Sequence, residues 1–324
     1  MVEAYWSLDS VPADFPRSAV TIGYFDGVHR GHQRILEATA ERARRAGWQS
    51  VALTFDPHPL AIVAPERAPE LLTSAAERHK LFGEYGIDAT VVLRFTAEVA
   101  RWSPQEFVER ALVERLHAGV VVVGGNFRFG HRQAGDVAAL KRLGGRHGFE
   151  VVAAEPVLVG GSPVSSSRVR ECVREGSVEA ARRLLGRPYG MEGEVVRGHG
   201  IGAKQTVPTL NLAPQAGIRP ANGVYVTSAL DPESGDCWRA VTNVGVRPTF
   251  NGTEPAIETF VLTDWTGPAP RALRVEFLKR LRDERRFPSA EELKAQILAD
   301  AAKARRYFRL LETAGKWLTT VSQT

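Results

Sequence analysis

Residues 19–47 read AVTIGYFDGVHRGHQRILEATAERARRAG, and this stretch predicts a strand, a tight turn and a helix in succession. The opening AVTIGYF is short, apolar and rich in β-branched side chains, which is typical of a buried strand. From His32 onward the apolar side chains recur with a helical period, and Gly47 is a natural helix end. A buried strand that leads into a helix is the repeating unit of a parallel sheet with helices on its faces.

The same alternation continues along the first half of the chain. Strands are predicted at residues 50–55, 90–95, 120–123 and 150–154, and helices at 75–85, 104–116 and 137–147. This order predicts a Rossmann-like α/β domain with a parallel sheet. Ligands of such domains bind at the carboxyl ends of the strands, which right-handed crossovers place on one rim.

The pattern changes after the Pro- and Gly-containing residues 185–191. Short strands are predicted at residues 192–197, 223–229, 238–244, 256–263 and 273–278, with Gly- and Pro-rich turns between them. They are typical of a small antiparallel β-barrel. A terminal helix follows, with Ser289 as its predicted N-cap. We therefore predict two domains, residues 1–186 and residues 187–324.

Composition narrows the class of protein. The chain has 324 residues, of which 44% are hydrophobic and 24% charged, so it is neither disordered nor collagen-like. Its two cysteines, Cys172 and Cys237, form no CxxC pair and suggest neither a disulfide framework nor a cysteine metal site. No apolar run approaches the ~18 residues of a membrane span, and no signal peptide is visible. We expect a cytoplasmic protein without a membrane partner.

The turn GYFDGVHRGH, residues 23–32, carries the strongest functional signal. Gly27 and Gly31 allow the backbone to approach a ligand closely. His29 and His32 stand three apart where a helix begins, and a helix N-terminus already favours anions. Two imidazoles there can donate hydrogen bonds to phosphate oxygens. A metal-binding pair and a structural pair are the alternatives, and the glycine-rich setting favours phosphate.

Three further segments follow predicted strands on the same rim. They are TFDPHP at residues 54–59, VGGNFRFG at 123–130 and SSSRVR at 165–170. Hydroxyls at a helix start with an arginine one turn later suit a phosphate clamp. Taken singly, the serines fit an ordinary helix cap, and Phe127 and Phe129 fit core packing. Their convergence on one rim favours a ligand site.

A second group of residues lies in the C-terminal half. Gly198, Gly200 and Gly202 suit a phosphate-binding loop or a plain flexible turn. Thr209 and Asn211, two apart on a strand, share one face. Two such oxygen ligands suit Mg²⁺ bound to nucleotide phosphates, or else they are polar residues facing water. The chemistry of these residues leaves both interpretations open.

Taken together, these segments resemble the bacterial bifunctional riboflavin kinase/FAD synthetase family. The four N-terminal segments are similar to its adenylyltransferase module over about residues 15–185. The kinase module is matched over residues 187–315 by RPANGVY (219–225), VTNVGVRPTF (241–250), IETFVL (257–262) and VEFLKRLRDERRF (275–287). The resemblance implies riboflavin phosphorylation by ATP, followed by transfer of AMP from a second ATP to FMN.

The resemblance also implies roles for individual residues of the N-terminal module. His29 and His32 would steady the ATP phosphates, and Asn126 would contact phosphate or Mg²⁺. Ser165, Ser166 and Arg170 would hold the leaving pyrophosphate. The nucleotide would also contact Gly23, Phe25, Gly27 and Gly31, and the flavin would contact Asp56, His58 and Phe127.

In the kinase module the resemblance makes Thr209 and Asn211 the Mg²⁺ and phosphate ligands, Glu258 the general base, and Gly198, Gly200 and Gly202 the phosphate loop. The sequence departs from the family pattern at Thr206, where glycine is usual, at Leu210 and at residues 266–271. Since Thr209, Asn211 and Glu258 are all present, we expect an active kinase.

The expected cofactor is Mg²⁺, with ATP as co-substrate and riboflavin, FMN and FAD as substrates and products. One alternative is an FMN adenylyltransferase whose barrel binds flavin without catalysis. A more distant alternative is an RNA-binding protein with a synthetase-like HxGH domain. The chain has a net charge of +5 and a pI of about 9.4, but no polybasic arm, so we expect no nucleic-acid partner. The sequence predicts no oligomeric state.

Overall fold

The computed structural model of the chain describes residues 2–196, 209–214, 217–249, 252–263 and 269–314. The chain divides into two compact units, Met1–Ser166 and Ser167–Thr324. The first unit is built on a sheet and the second on a barrel, which confirms the predicted fold class.

The first unit contains a six-stranded parallel sheet. Its strands are β1 (Glu3–Tyr5), β2 (Ser18–Ile22), β3 (Gln49–Asp56), β4 (Ala89–Arg94), β5 (Ala118–Gly124) and β6 (Glu150–Ala154). They are ordered β1-β4-β3-β2-β5-β6, and every neighbouring pair is parallel. The sequence did not predict β1, because three residues are too few to show a period. A short antiparallel pair, β7 (Leu158–Val159) and β8 (Ser162–Pro163), follows the sheet.

Helices connect these strands. They are α1 (Arg30–Ala46), α2 (Pro59–Val63), α3 (Ala75–Glu84), α4 (Pro104–Phe107), α5 (Val137–His147) and α6 (Ser166–Arg174). One prediction is corrected, because the helix expected over residues 104–116 is α-helical only in α4 and continues as a π-helix over Val108–Val113. Its predicted cap is confirmed, since Ser103 Oγ accepts a hydrogen bond from the backbone N–H of Glu106.

The central strands are buried on both faces, which explains their continuous apolar sequence. Every residue of β2 is buried. One face of the sheet packs against Leu112 and Leu140 from the following helices, and the other packs against α1 through Ala43. The strand predicted over residues 19–25 ends at Ile22, and Phe25 has a left-handed backbone with φ of 57°. The turn that carries the histidines therefore starts earlier than periodicity predicts.

The second unit is a closed antiparallel barrel with helices packed on it. Its elements are α7 (Val178–Leu185), β9 (Tyr189–Val196), β10 (Thr209–Pro214), β11 (Gly223–Leu230), β12 (Cys237–Thr249), β13 (Gly252–Val261), β14 (Ala272–Arg282) and α8 (Ala290–Thr313). The strands close in the order β10-β13-β12-β11-β14-β9. This confirms the predicted barrel and terminal helix, and Ser289 Oγ caps α8 by accepting a hydrogen bond from Glu292 N–H.

The barrel core combines apolar and hydroxyl side chains. The hydroxyls of Thr227, Thr242 and Thr259 form a buried chain with O···O distances of 2.8 and 3.0 Å. On the outside, Phe308 of α8 packs against Val224 of β11. Because residues paired across a sheet lie on the same face, contact with α8 identifies the outer face of the barrel.

The segment between sheet and barrel belongs by its contacts to the second unit, because α7 packs on β9 and β14. The domain boundary predicted at residues 186/187 stays a prediction.

Candidate active sites

Three of the predicted segments follow strands that are neighbours in the sheet. The turn at residues 23–32 follows β2, Asp56 ends β3, and residues 125–130 follow β5. Strand β2 lies between β3 and β5, so the chain order reverses direction at β2. The carboxyl edge at such a reversal is where open α/β sheets bind ligands.

The turn after β2 is held by one buried carboxylate. Asp26 is 3% exposed. It accepts hydrogen bonds from the backbone N–H groups of Leu72, at 2.9 and 3.0 Å to its two oxygens, and of Thr73 at 3.1 Å. Gly27 donates its N–H to Thr73 Oγ1 at 2.9 Å and has a φ of 78°, a conformation that favours glycine. The turn before the histidines is therefore held in place by the segment that contains Leu72 and Thr73.

His29 caps α1 with its own ring. Its Nδ1 accepts a hydrogen bond from the backbone N–H of His32 at 3.3 Å. Because Nδ1 acts as the acceptor, the neutral ring carries its proton on Nε2. That N–H is the donor that this ring offers to an anion at the helix start.

His32 stacks on His29, with 3.6 Å between ring centroids, and meets Phe25 edge-on at 5.2 Å. Burial holds the pKa of His32 well below its usual value of 6.5, and repulsion by the positive charge that His29 acquires on protonation is the smaller cause. Its ring is therefore neutral at neutral pH. Gly31 fits against this stack, since a Cβ there would lie 3.1 Å from Cε1 of His29.

His58, after β3, uses the same device as His29. Its Nδ1 accepts a hydrogen bond from the backbone N–H of Leu60 at 3.1 Å, which places the proton of the neutral ring on Nε2. Its ring lies 4.3 Å from that of Tyr24, edge to face. Asp56 is exposed at the end of β3.

The loop after β5 has an exposed amide and a packed aromatic pair. Asn126 is exposed. Phe127 is half-buried and stacks on Phe129 at a centroid distance of 5.5 Å. Phe129 is 6% exposed and contacts Phe107. Phe129 thus belongs to the core, while contact of Phe127 with flavin stays a prediction.

The serines predicted to bind phosphate, Ser165 and Ser166, lie next to the turn after β2. Ser166 Oγ donates a hydrogen bond to the backbone carbonyl of Asp26 at 2.9 Å, and Ser165 precedes it in the chain. Arg170 is buried in the part of α6 that belongs to the second unit. Its proposed contact with phosphate stays a prediction.

In the barrel, three polar residues form one row across neighbouring strands. Asn211 of β10 pairs directly with Glu258 of β13, and Glu258 pairs with Asn243 of β12. Asn243 pairs in turn with Val224, which faces α8, so the row lies on the outer face. Asn211 is 6% exposed and Glu258 half-buried. Thr209 is on the same face, two residues before Asn211.

Several residues of the sequence analysis cannot be placed. Gly198, Gly200, Gly202 and Thr206 lie outside the described residues, as do positions 264–268. Among the residues that are described, no group of three or more His, Cys, Asp or Glu side chains is arranged to hold a metal ion.

Sequence reasoning missed two contributors. Asn243 lies inside a quoted family segment, but only strand register shows that it neighbours Glu258. The segment from Leu72 to Arg78, which binds the turn after β2, lies outside every quoted motif. A buried arginine in an otherwise ordinary helix carries no sequence signal.

These features define the class of protein. A parallel sheet with two histidines at a helix start beside its reversal point is typical of units that bind nucleotides or other phosphate compounds. The barrel adds a second site with an amide and a carboxylate in one row.

Comparison of the sequence with known protein families identifies the family. Residues 11–168 match the family model described as FAD synthetase, and residues 185–308 match the one described as riboflavin kinase. The chain belongs to the family of bifunctional riboflavin kinase/FMN adenylyltransferases. It is 40% identical to the Pseudomonas fluorescens member, over 88% of this chain and 91% of that protein. It is 34% identical to the Escherichia coli K12 member, over 91% and 94%.

A solved structure from Streptococcus pneumoniae, described as a macrolide-efflux protein, also matches. Its TM-score is 0.83 at 28% identity, and the match covers 94% of this chain and 98% of that one. The name macrolide-efflux protein applies to the Streptococcus pneumoniae protein. For this chain, the match supports the fold. Across the described residues, we find no helix with the length and apolar character that crossing a membrane requires.

Proposed function

We propose that this chain makes FMN and then FAD. The barrel transfers the γ-phosphoryl group of ATP to riboflavin, and the parallel-sheet unit transfers AMP from a second ATP to FMN. The observation that carries the proposal is the presence of both sites in one chain: the histidine pair at the start of α1, and the direct pairing of Asn211 with Glu258. Family membership over nearly the whole chain supports it.

In the kinase step, the terminal ribityl hydroxyl of riboflavin attacks the γ-phosphorus of ATP. Glu258 takes the hydroxyl proton as the new O–P bond forms, and ADP leaves. The half-buried position of Glu258 beside Asn211 suits this role, because a carboxylate needs only the right geometry to act as base here. Asn243, on the other side of Glu258, provides a second amide on the same face.

The residues of β10 fit a magnesium ion. The Thr209 hydroxyl and the Asn211 amide oxygen are hard ligands on one face, and Mg²⁺ typically takes its remaining ligands from phosphates and water. The absence of an acidic cluster among the described residues agrees with this kind of site. When bound, the ion would neutralise charge on the transferred phosphoryl group.

In the adenylyl transfer, a phosphate oxygen of FMN attacks the α-phosphorus of ATP, and pyrophosphate leaves with the electrons of the broken P–O bond. No covalent intermediate is required, so the chain contributes positioning and charge stabilisation. His29 offers Nε2–H to the phosphates at the helix start, and Asn126 and Ser165 add polar contacts. The neutral ring of His32 keeps that of His29 in place through their stacking.

The test is to incubate the purified chain with riboflavin, ATP and Mg²⁺ and to separate the flavins by chromatography over time. FMN should appear first and FAD second. His29→Ala should abolish only the second product. FAD from added FMN, with nothing formed from riboflavin, would instead show the adenylyltransferase with a silent barrel. No flavin product from either substrate would contradict the proposal and favour RNA binding, which falls steeply with salt.

A further inference from the structure

The turn that carries the histidines is linked by hydrogen bonds to a buried arginine, and this arginine lies outside the segments that resemble the family. Arg78 lies in α3 and is 1% exposed. We propose that Arg78 is a positioning residue for adenylyl transfer, which holds Tyr24 and Thr73 and through them sets the turn before His29. This inference rests on the proposed function of the sheet unit.

Arg78 is an unusual residue to bury. Its Nη1 donates a hydrogen bond to the backbone carbonyl of Thr73 at 3.0 Å, while its Nε is shielded from solvent without a hydrogen-bond partner. No ion pair joins it to a carboxylate within the residues that the structure describes. Burying a guanidinium without such a partner is unfavourable, and an apolar side chain would fill the same space with less penalty. The role of Arg78 is therefore to be found in the residues that its guanidinium contacts.

The first contact leads through Thr73 to the turn. Thr73 accepts from Arg78 through its carbonyl, and its N–H and hydroxyl both bond to Asp26 Oδ1, at 3.1 and 3.2 Å. The same hydroxyl accepts the N–H of Gly27 at 2.9 Å. His29 follows Gly27 by two residues. A shift of the Thr73 backbone is thus passed to the first residues of the phosphate-binding helix.

The second contact leads through Tyr24 to the loop after β3. The Arg78 guanidinium lies 4.3 Å from the centroid of the Tyr24 ring, within the range of a cation–π interaction. The Tyr24 ring also meets the His58 ring edge-on, again at 4.3 Å between centroids. One cation therefore fixes the loops that follow two neighbouring strands, β2 and β3.

The test compares Arg78→Met and Arg78→Lys with Lys80→Met, an exposed position on the same helix. A misplacement of the histidine turn should lower kcat for FAD formation by about 100-fold in Arg78→Met. The KM values for FMN and ATP should change much less, because substrate contacts remain. Arg78→Lys keeps the cation and should recover most of the rate. Lys80→Met should equal the parent chain.

The kinase on the same molecule is the internal control. Riboflavin phosphorylation should be unchanged in Arg78→Met. An equal fall in both activities would show a general loss of folding and overturn the inference, and so would an Arg78→Met chain as fast as the parent in FAD formation. If Arg78→Met does not fold, Thr73→Val decides, since it removes only the hydroxyl bonds to Asp26 and Gly27. A normal kcat in Thr73→Val would then overturn the inference.

Failure of the proposed function itself gives a different result. In that case the parent chain makes no FAD from FMN and ATP. The positioning role is contradicted only when the parent chain is active and the variants match it.

Discussion

At the scale of single residues, backbone hydrogen bonds set the chemistry of the two histidines that use their rings as helix caps. In both His29 and His58, Nδ1 accepts a backbone N–H, so that the proton of each neutral ring is on Nε2. A capping aspartate would satisfy the same N–H but would bring negative charge toward phosphate. Histidine at the cap of α1 therefore stabilises the helix start and leaves an N–H donor for the anion that we propose binds there.

Glu258→Gln should separate catalysis from binding in the barrel. The amide cannot take the hydroxyl proton, so kcat for riboflavin phosphorylation should fall by about 100-fold or more, with little change in the KM for riboflavin. The measurement is the initial rate of FMN formation.

The matched control is Glu192→Gln, an exposed glutamate on β9 of the same barrel. It should leave the rate unchanged. A Glu258→Gln chain with parental kcat would contradict the role of general base.

The pKa of His32 predicts a pH dependence of stability. In the folded chain burial keeps the ring neutral, whereas in the unfolded chain it takes up a proton as the pH falls through its ordinary pKa of 6.5. The unfolded state then binds more protons, and the free energy of unfolding decreases toward acid. His32→Asn should lose less stability between about pH 7.5 and pH 5 than the parent chain.

Urea denaturation of both chains at the two pH values measures this difference. His131→Asn, at an exposed site, should follow the parent chain. Parallel pH profiles for His32→Asn and the parent would show that His32 titrates normally in the folded state.

At the scale of elements, the turn between β2 and α1 is built by segments distant in sequence. The carboxylate of Asp26 receives the backbone N–H groups of residues 72 and 73, and its carbonyl receives the hydroxyl of Ser166. The turn is thus stabilised by two segments distant in sequence, residues 72–73 and the start of α6 at Ser166. A glycine-rich turn alone would not have one conformation.

Asp26→Asn should destabilise this junction. One carboxylate oxygen becomes an NH₂ group, and since Leu72 N–H approaches both oxygens, a donor must then face a donor. The expected loss in the free energy of unfolding is about 1–3 kcal/mol.

Chemical denaturation followed by fluorescence measures that loss. Asp14→Asn, at an exposed position, provides the control and should change stability by less than about 0.5 kcal/mol. Equal stability of Asp26→Asn and the parent chain would show that the bonds of Asp26 contribute little.

At the scale of the whole molecule, two units with separate cores carry the two sites. The sheet unit packs around residues such as Val121 and Leu140, and the barrel packs against α8 through Phe308. Because His29 lies in the first unit and Glu258 lies in the second, we expect an inactivating change at one of them to leave the other activity intact.

Mixing two single variants tests this independence. His29→Ala should retain the kinase activity, and Glu258→Gln should retain the adenylyltransferase activity. Together with riboflavin, ATP and Mg²⁺ they should form FAD after a lag, because FMN must leave one chain and bind the other. Chromatography over time measures the lag and the final yield. FMN that accumulates without FAD in the mixture would contradict independent sites and would require transfer within one chain.

Much of this protein could be predicted from residues alone. Helix α5 was predicted over residues 137–147 and β6 over 150–154, as they are found, because hydrophobic period, cap and glycine agree there. The helix over residues 104–116 was wrong in part, since Val108–Val113 is π-helical and a single such turn is too short to show a period of its own. Helix α7 was missed, because it is short and ends where the predicted boundary region, residues 185–191, begins.

The sequence by itself determined the fold class, because strand and helix periods are local properties, and its short motifs predicted the segments proposed here for phosphate chemistry. Only the tertiary structure decided that β2 lies between β3 and β5, and that Asn211, Glu258 and Asn243 form one row. It alone showed that Arg78 bonds to Thr73, which in turn bonds to Asp26 and Gly27. Strand order, register and buried contacts join residues far apart in the chain, and no local pattern of side chains encodes them.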